Sequence, residues 1–209
     1  MASKTVTKAS ARERLLEAAD ELFYREGVQT VGIDRVIEHA GVAKASLYNT
    51  FGSKEDLICA YLELRNVRIK DRITRTLTRF RAPHEQLLGV FDALGEAITD
   101  PEYNGCAFVR ATAETADDSS IRRVANNYRL WVRGLFRELA EASGYAAPDE
   151  LARQLHLLYD GAGQSARMDH DPSAATTARA AAASLLASAP LADNSIEGRQ
   201  AARRAAGSP

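Results

Sequence analysis

Apolar residues recur at helical spacing along most of this chain, and glycine, proline and serine divide them into about nine segments. Leu15, Leu16, Ala19, Leu22 and Phe23 define the first, with Ser10 and Glu13 spaced as a capping box and Gly27 as the stop. Two short helices follow, joined at Ala40-Gly41-Val42. Val36, Ile37, Val42, Leu47 and Phe51 are expected to share one small core there. Gly41 sits where the first of the pair must end, in a left-handed conformation that glycine accepts without a Cβ clash. A glycine-bearing turn between short helices is the helix-turn-helix arrangement, whose second helix enters the DNA major groove.

Ser53 caps a long helix that passes Leu57, Tyr61, Leu64 and Ile73 toward Phe80 and is expected to stop before Pro83. Its second half carries Arg65, Arg68, Lys70, Arg72 and Arg75, continued by Arg79 and Arg81, with only Asp71 opposing. This stripe reads as a solvated face that complements the helix C-terminus. Leu87, Phe91, Leu94 and Ile98 then share a face, and Gly105 to Val109 opens a short apolar helix. Ile121, Val124, Tyr128, Trp131, Leu135 and Leu139 form a stripe ending near Gly144. Leu151, Leu155, Leu158, Tyr159 and Ala162 follow Pro148, and the last helix, Ala174 to Ala187, is mostly alanine. The expected fold is all-α: a three-helix DNA-binding unit in residues 1–52, with the motif at about 32–51, and a helical domain in residues 53–190. Residues 1–9 read as a polar arm whose Lys4 and Lys8 are within reach of phosphates, and 191–209 as a disordered tail.

A length of 209 residues suits one large or two small domains. Cys59 and Cys106 lie far apart and without metal-ligand spacing, so a disulfide framework is not expected and a reducing, cytoplasmic setting is. Met1 to Lys8 lacks a signal-peptide character, and no apolar run approaches membrane-spanning length, so no membrane association is expected. The net charge of −1 hides an asymmetry. Residues 1–81 hold 15 Lys+Arg against 11 Asp+Glu, and residues 82–209 hold 12 against 17. A mildly basic front on an acidic body suits a small DNA-reading end whose few phosphate contacts are doubled by dimerisation.

The sequence carries no P-loop, nucleophile elbow or zinc-ligand spacing. Gly161-Ala162-Gly163 follows a helix rather than a strand, His84 and His156 lack partners at useful spacing, and Asp169-His170-Asp171 reads as a helix end. No catalytic residue, cofactor or metal is expected.

Ala40-Gly41-Val42, Lys44, Leu47-Tyr48, Phe51 and Lys54 together resemble the DNA-binding segment of the tetracycline-repressor (TetR) family of bacterial transcription regulators. Gly105-Cys106 through Ala113-Glu114 is similar to a segment of one large subgroup of that family. The resemblance implies that Lys44 approaches a base edge or phosphate, that Tyr48 gives its hydroxyl to a phosphate, and that Lys54 pairs with another. Ala45, Ser46 and Asn49 become the base readers. Five positions depart from the pattern: Ala45 stands where glycine or another small residue is common, Ser46 where threonine is, and Thr50 where histidine is frequent, and two more remove a side-chain hydroxyl. Ala43 replaces a usual serine and leaves the second helix without a side-chain cap, and Gly32 stands where serine or threonine often offers a hydroxyl. The family also implies a homodimer through the last two helices. It further implies an effector cavity, for which Phe91, Leu94, Phe108, Tyr128, Trp131, Leu135 and Tyr159 are the candidates; by themselves these stripes indicate only burial. The expected function is a ligand-responsive repressor released from a near-palindromic operator on double-stranded DNA by a small apolar or amphipathic effector. The alternatives are a helical small-molecule-binding protein or enzyme with an incidental helix-turn-helix, and a regulator governed by a protein partner.

Overall fold

The computed structural model describes residues 9–192, and the expected arm (residues 1–8) and most of the expected tail (residues 193–209) lie outside them. Nine α-helices and no strand occur among the described residues. Their contacts form two compact units, one of residues up to Asp71 with Asn104–Arg129, the other of Arg72–Tyr103 with the residues from Leu130 onward. These packing units are drawn differently from the expected division at residue 52.

In the first unit, α1 (Ala11–Glu26) starts at the predicted capping box. Ser10 Oγ accepts the Glu13 N–H, and Glu13 reaches back to the Ser10 N–H at 2.7 Å. Leu15, Ala18, Ala19, Leu22 and Phe23 form its buried stripe. It packs on α2 (Ile33–Ala40) and α3 (Lys44–Phe51). Val36 and Leu47 are fully buried between them, while Ile37, Val42 and Phe51 are half-buried at the edge of this small core. Burying two such side chains contributes about 3–6 kcal/mol. Gly41 has φ 61° and ψ 43°, the left-handed conformation the turn requires.

The next helix, α4 (Lys54–Leu77), begins at Ser53, whose hydroxyl oxygen accepts the Asp56 N–H at 3.0 Å. It contributes Leu57, Ile58, Tyr61 and Leu62 to the first core. It ends at Leu77 rather than running toward Phe80, because the chain turns tightly there and Phe80 folds onto Gly89. A Cβ at residue 89 would stand 2.6 Å from the Phe80 ring.

In the second unit, Pro83 occupies the first turn of α5 (Pro83–Ile98), and Pro148 that of α8 (Pro148–Met168), where a missing N–H is harmless. These pack together and with α9 (Ala174–Ser188). Phe91, Phe136 and Tyr159 meet in their core, with ring centroids 5.8–6.3 Å apart. The expected tail begins with order: Leu191 bridges to Tyr145, and the Ala192 N–H donates to the Gly144 carbonyl at 2.8 Å.

Between these elements in sequence lie α6 (Ala107–Ala113) and α7 (Ser120–Ala142). The buried stripe of α7 is Ile121, Ala125, Tyr128, Val132, Phe136 and Ala140, not the expected Val124, Trp131, Leu135 and Leu139, which are half-exposed. Both sets are apolar at helical spacing, so periodicity alone leaves the helix's rotation about its axis undecided.

Candidate nucleic-acid interface

The helix-turn-helix is held by polar contacts as well as by its core. The Arg14 guanidinium on α1 donates to the carbonyls of Ala40 and Gly41, at 3.2 and 2.9 Å, and so caps the end of α2 at the turn. Arg12 lies over the Phe51 ring at 5.7 Å. Arg35 pairs with Glu26, and His39 Nε2 lies 2.9 Å from Glu21. Each contact ties α1 to one of the two short helices.

With Leu47 turned inward, α3 presents Lys44, Ala45, Tyr48, Asn49 and Thr50 to solvent, and Ser46 is half-buried. Tyr48 is 46% exposed, a large amount for an aromatic side chain. Ala43 makes no side-chain cap, and neither does the exposed Gly32 at the start of α2. Lys44 is not a solitary cation. Its ammonium donates to Asp34 at 2.8 Å, and this pair holds its pKa above the ordinary lysine value. Both partners are well exposed, at 60% and 82%, so solvent screens the pair and it holds Lys44 only weakly.

Lys54, the first residue of α4, is half-buried. Burial lowers its pKa, and the nearby Glu114 carboxylate partly offsets that shift. Its surroundings therefore favour a second anion beside it, as the free N–H groups of a helix start also do.

The first unit carries several contacts that sequence reasoning missed. Asp20, buried on α1, receives both Arg65 and Arg68 of α4, and Arg65 lies over the Tyr24 ring at 3.6 Å. The expected solvated basic stripe is corrected at Arg65, whose side chain is 20% exposed; Arg68 and Arg79 stay solvated while they pair with Asp20 and, at 2.7 Å in the second unit, with Glu96. Asn104 donates from its side chain to the carbonyls of Tyr24 and Arg25 at 2.8 and 3.1 Å, and Arg110 on α6 donates to the Tyr24 carbonyl. The Glu114 carboxylate accepts the Gln29 N–H at 2.9 Å. These partners lie about 80 residues apart, and no local pattern signals them.

The residues expected to line an effector cavity belong to both units. Phe108 and Tyr128 stack in the first unit, centroids 4.0 Å apart and planes 8° from parallel. Phe91, Leu94 and Tyr159 are buried in the core of the second unit, and Trp131 and Leu135 are half-buried there. No helix among the described residues is long and apolar enough to cross a membrane.

The model for bacterial regulatory proteins of the tetR family matches residues 15–61, a span that covers most of α1 and all of the helix-turn-helix. The chain is 33% identical over 148 residues to the HTH-type transcriptional repressor KstR2 of Mycobacterium tuberculosis, covering 67% of this chain and 71% of that protein. It is 27% identical over 180 residues to the HTH-type transcriptional repressor NemR of Escherichia coli, covering 78% and 86%. The crystal structure of SCO4454, a TetR-family transcriptional regulator from Streptomyces coelicolor, superposes with a TM-score of 0.79 at 32% identity, over 84% of this chain and 94% of that one.

Proposed function

The chain belongs to the TetR family of bacterial regulatory proteins, and from that membership we propose that it is a dimeric transcriptional repressor, released from its operator by a small molecule. The observation that carries this reading is the outward set Lys44, Ala45, Tyr48 and Asn49 on a helix anchored by buried Leu47. Tyr48 and Lys54 are assigned to phosphates, which fix register. Ala45, Ser46 and Asn49 are assigned to base edges, where asparagine can pair with adenine and a small side chain can meet a thymine methyl. Lys44 serves either, after leaving Asp34. Gly32, without a hydroxyl, can offer only its backbone.

Two copies are needed, since one presents few cations. The outward face of α8 carries Leu157 and Met168, each 73% exposed, with Gly161 between them, and that of α9 carries Ala180, Ala181 and Ser184. Apolar and small side chains on adjacent helices suit a four-helix contact across a twofold axis, and we assign the dimer to it. Residues 1–52 are assigned to DNA reading and 53–190 to effector binding and dimerisation, in the cytoplasm. Among the seven residues expected to meet the effector, Phe108 and Tyr128 border an open cleft in the first unit and are the two assigned to it. An effector that prefers one of two settings of the helices needs a differential of about 1–3 kcal/mol to act.

Selection of genomic fragments by the purified protein tests the proposal. Enrichment of near-palindromic sites with half-sites about 34–36 Å apart is expected. Failure to enrich any fragment over competitor DNA at physiological salt overturns it.

A further inference from the structure

Where α1 ends and the chain turns toward α2, the short helix α6 grips the corner with two groups of opposite charge. Arg110 lies on α6 and Glu114 caps its end, at a spacing of i and i+4 that sets both on one side. The Arg110 guanidinium donates to the Tyr24 carbonyl, and the Asn104 side chain donates to the carbonyls of Tyr24 and Arg25. Those carbonyls belong to the last turn of α1, which has no intrahelical donors for them and carries the negative end of the helix dipole. A cation suits that end. Beyond it the chain offers an N–H instead, and there the partner is an anion: the Gln29 N–H donates to the Glu114 carboxylate at 2.9 Å.

The same carboxylate meets its surroundings at two further points. A Cβ at residue 27 would stand 2.9 Å from one of its oxygens, so it lies directly against the backbone of the loop there. It is also near enough to Lys54, the first residue of α4, to offset part of the effect of burial on that ammonium. One carboxylate thus faces both the loop that enters α2 and the helix that follows α3. Val28 and Val31, on either side of Gln29 and Thr30, are buried, so the loop has a seated backbone to hold. The Gln29 bond itself is exposed and adds little to stability. What it fixes is the placement of the segment leading to Gly32, where α2 starts, and α2 is joined to α3 through buried Val36 and Leu47.

We propose that Glu114 is a positioning residue for DNA reading: it sets the loop entering α2 against the start of α4, and so holds the base readers assigned to α3 in register with the phosphate contact assigned to Lys54. The proposal rests on the regulator reading and adds to it a residue outside the DNA-contacting set. All the groups involved belong to the first packing unit. Without the carboxylate the cations of the interface remain, but the loop is free to shift and the base readers lose their fixed distance from Lys54. Sequence-specific binding then suffers, whereas binding that needs only positive charge does not.

The test uses the full chain, a selected operator fragment and an unrelated duplex of the same length, with the native protein, Glu114→Ala and Glu114→Gln compared. Alanine removes both the acceptor and the charge, whereas glutamine keeps an acceptor oxygen and removes only the charge. Glu114→Ala should bind operator about threefold to tenfold more weakly, the loss expected for one hydrogen bond. Its binding to the unrelated duplex should hold or tighten, because the cations remain and an anion beside Lys54 is gone. Glu114→Gln should recover operator binding. In the DNA-free protein, the Gln29 amide should exchange with solvent faster in Glu114→Ala than in the other two chains. Operator affinity in Glu114→Ala equal to that of the native chain overturns the proposal. So does an equal loss on operator and unrelated DNA, which marks a merely structural role, or unchanged Gln29 exchange, or a Glu114→Gln chain that binds operator no better than Glu114→Ala. A native chain that selects no operator overturns the regulator reading and this proposal with it, whereas operator binding that Glu114→Ala leaves intact overturns this proposal alone.

Discussion

Removing the Asp20 carboxylate by Asp20→Ala leaves Arg65 part-buried beside an apolar gap. Breaking a buried ion pair from one side typically costs about 3–5 kcal/mol. Asp20 has only 12% of its side chain exposed, but Arg65 keeps 20% and still stacks on Tyr24 at 3.6 Å. The loss therefore falls at the lower end, about 3 kcal/mol. In a chain of this length about 1 kcal/mol moves Tm by roughly 2–4 °C, so melting should fall by about 6–12 °C. The second partner supplies an internal control. Arg68 is 52% exposed, and Arg68→Ala should cost at most about 1 kcal/mol, or about 4 °C. Circular dichroism melts at low and high salt measure both, and the Asp20 effect should persist in high salt because enclosed pairs are screened little. Equal shifts for the two variants, or a shift below about 2 °C for Asp20→Ala, would refute the clamp between α1 and α4.

Three other outcomes follow from named contacts. Ala43→Ser restores a side-chain cap to α3 and should stabilise the protein by about 1 kcal/mol, read as a Tm rise of roughly 2–4 °C. Asp34→Asn releases Lys44 from its exposed pair; nonspecific DNA binding should tighten and its log–log salt slope steepen by about 0.9, the value of one added phosphate contact. Glu55 is held below the ordinary carboxylate value by hydrogen bonds from the Ser120 hydroxyl and N–H, so the stability it lends is present above the ordinary value and lost as pH falls through the lowered one. Ser120→Ala should return the Glu55 pKa toward its ordinary value in an NMR titration and flatten the acid limb of the stability profile.

What the sequence disclosed was local. The Ser10–Glu13 box, the Ser53 cap, Pro83 and Pro148 at helix starts, and left-handed Gly41 each act within a few residues, so spacing alone located them. The outward face of α3 was legible for the same reason, since Leu47 must face inward if Tyr48 and Asn49 are to face out. What stayed hidden depends on distant partners. The rotation of α7 is set by what packs against it, because Trp131 and Leu135 are as apolar as Val132 and Phe136. Arg65 and Arg68 looked like surface charge until Asp20, more than 40 residues away, proved to receive them. The Lys44–Asp34 pair was hidden for the same reason, since Asp34 is ten residues off, on another helix.

The regulator reading stands or falls on whether the α3 surface and the start of α4 grip DNA. Fluorescence anisotropy with a selected operator fragment, titrated from 50 to 200 mM salt, measures this for the native chain and for a Tyr48→Phe, Lys54→Ala double variant. Binding by the native chain should weaken steeply with salt, and the variant should bind about tenfold or more weakly, with a slope smaller by about 0.9. Native and variant chains that bind with the same affinity and the same salt slope would contradict it.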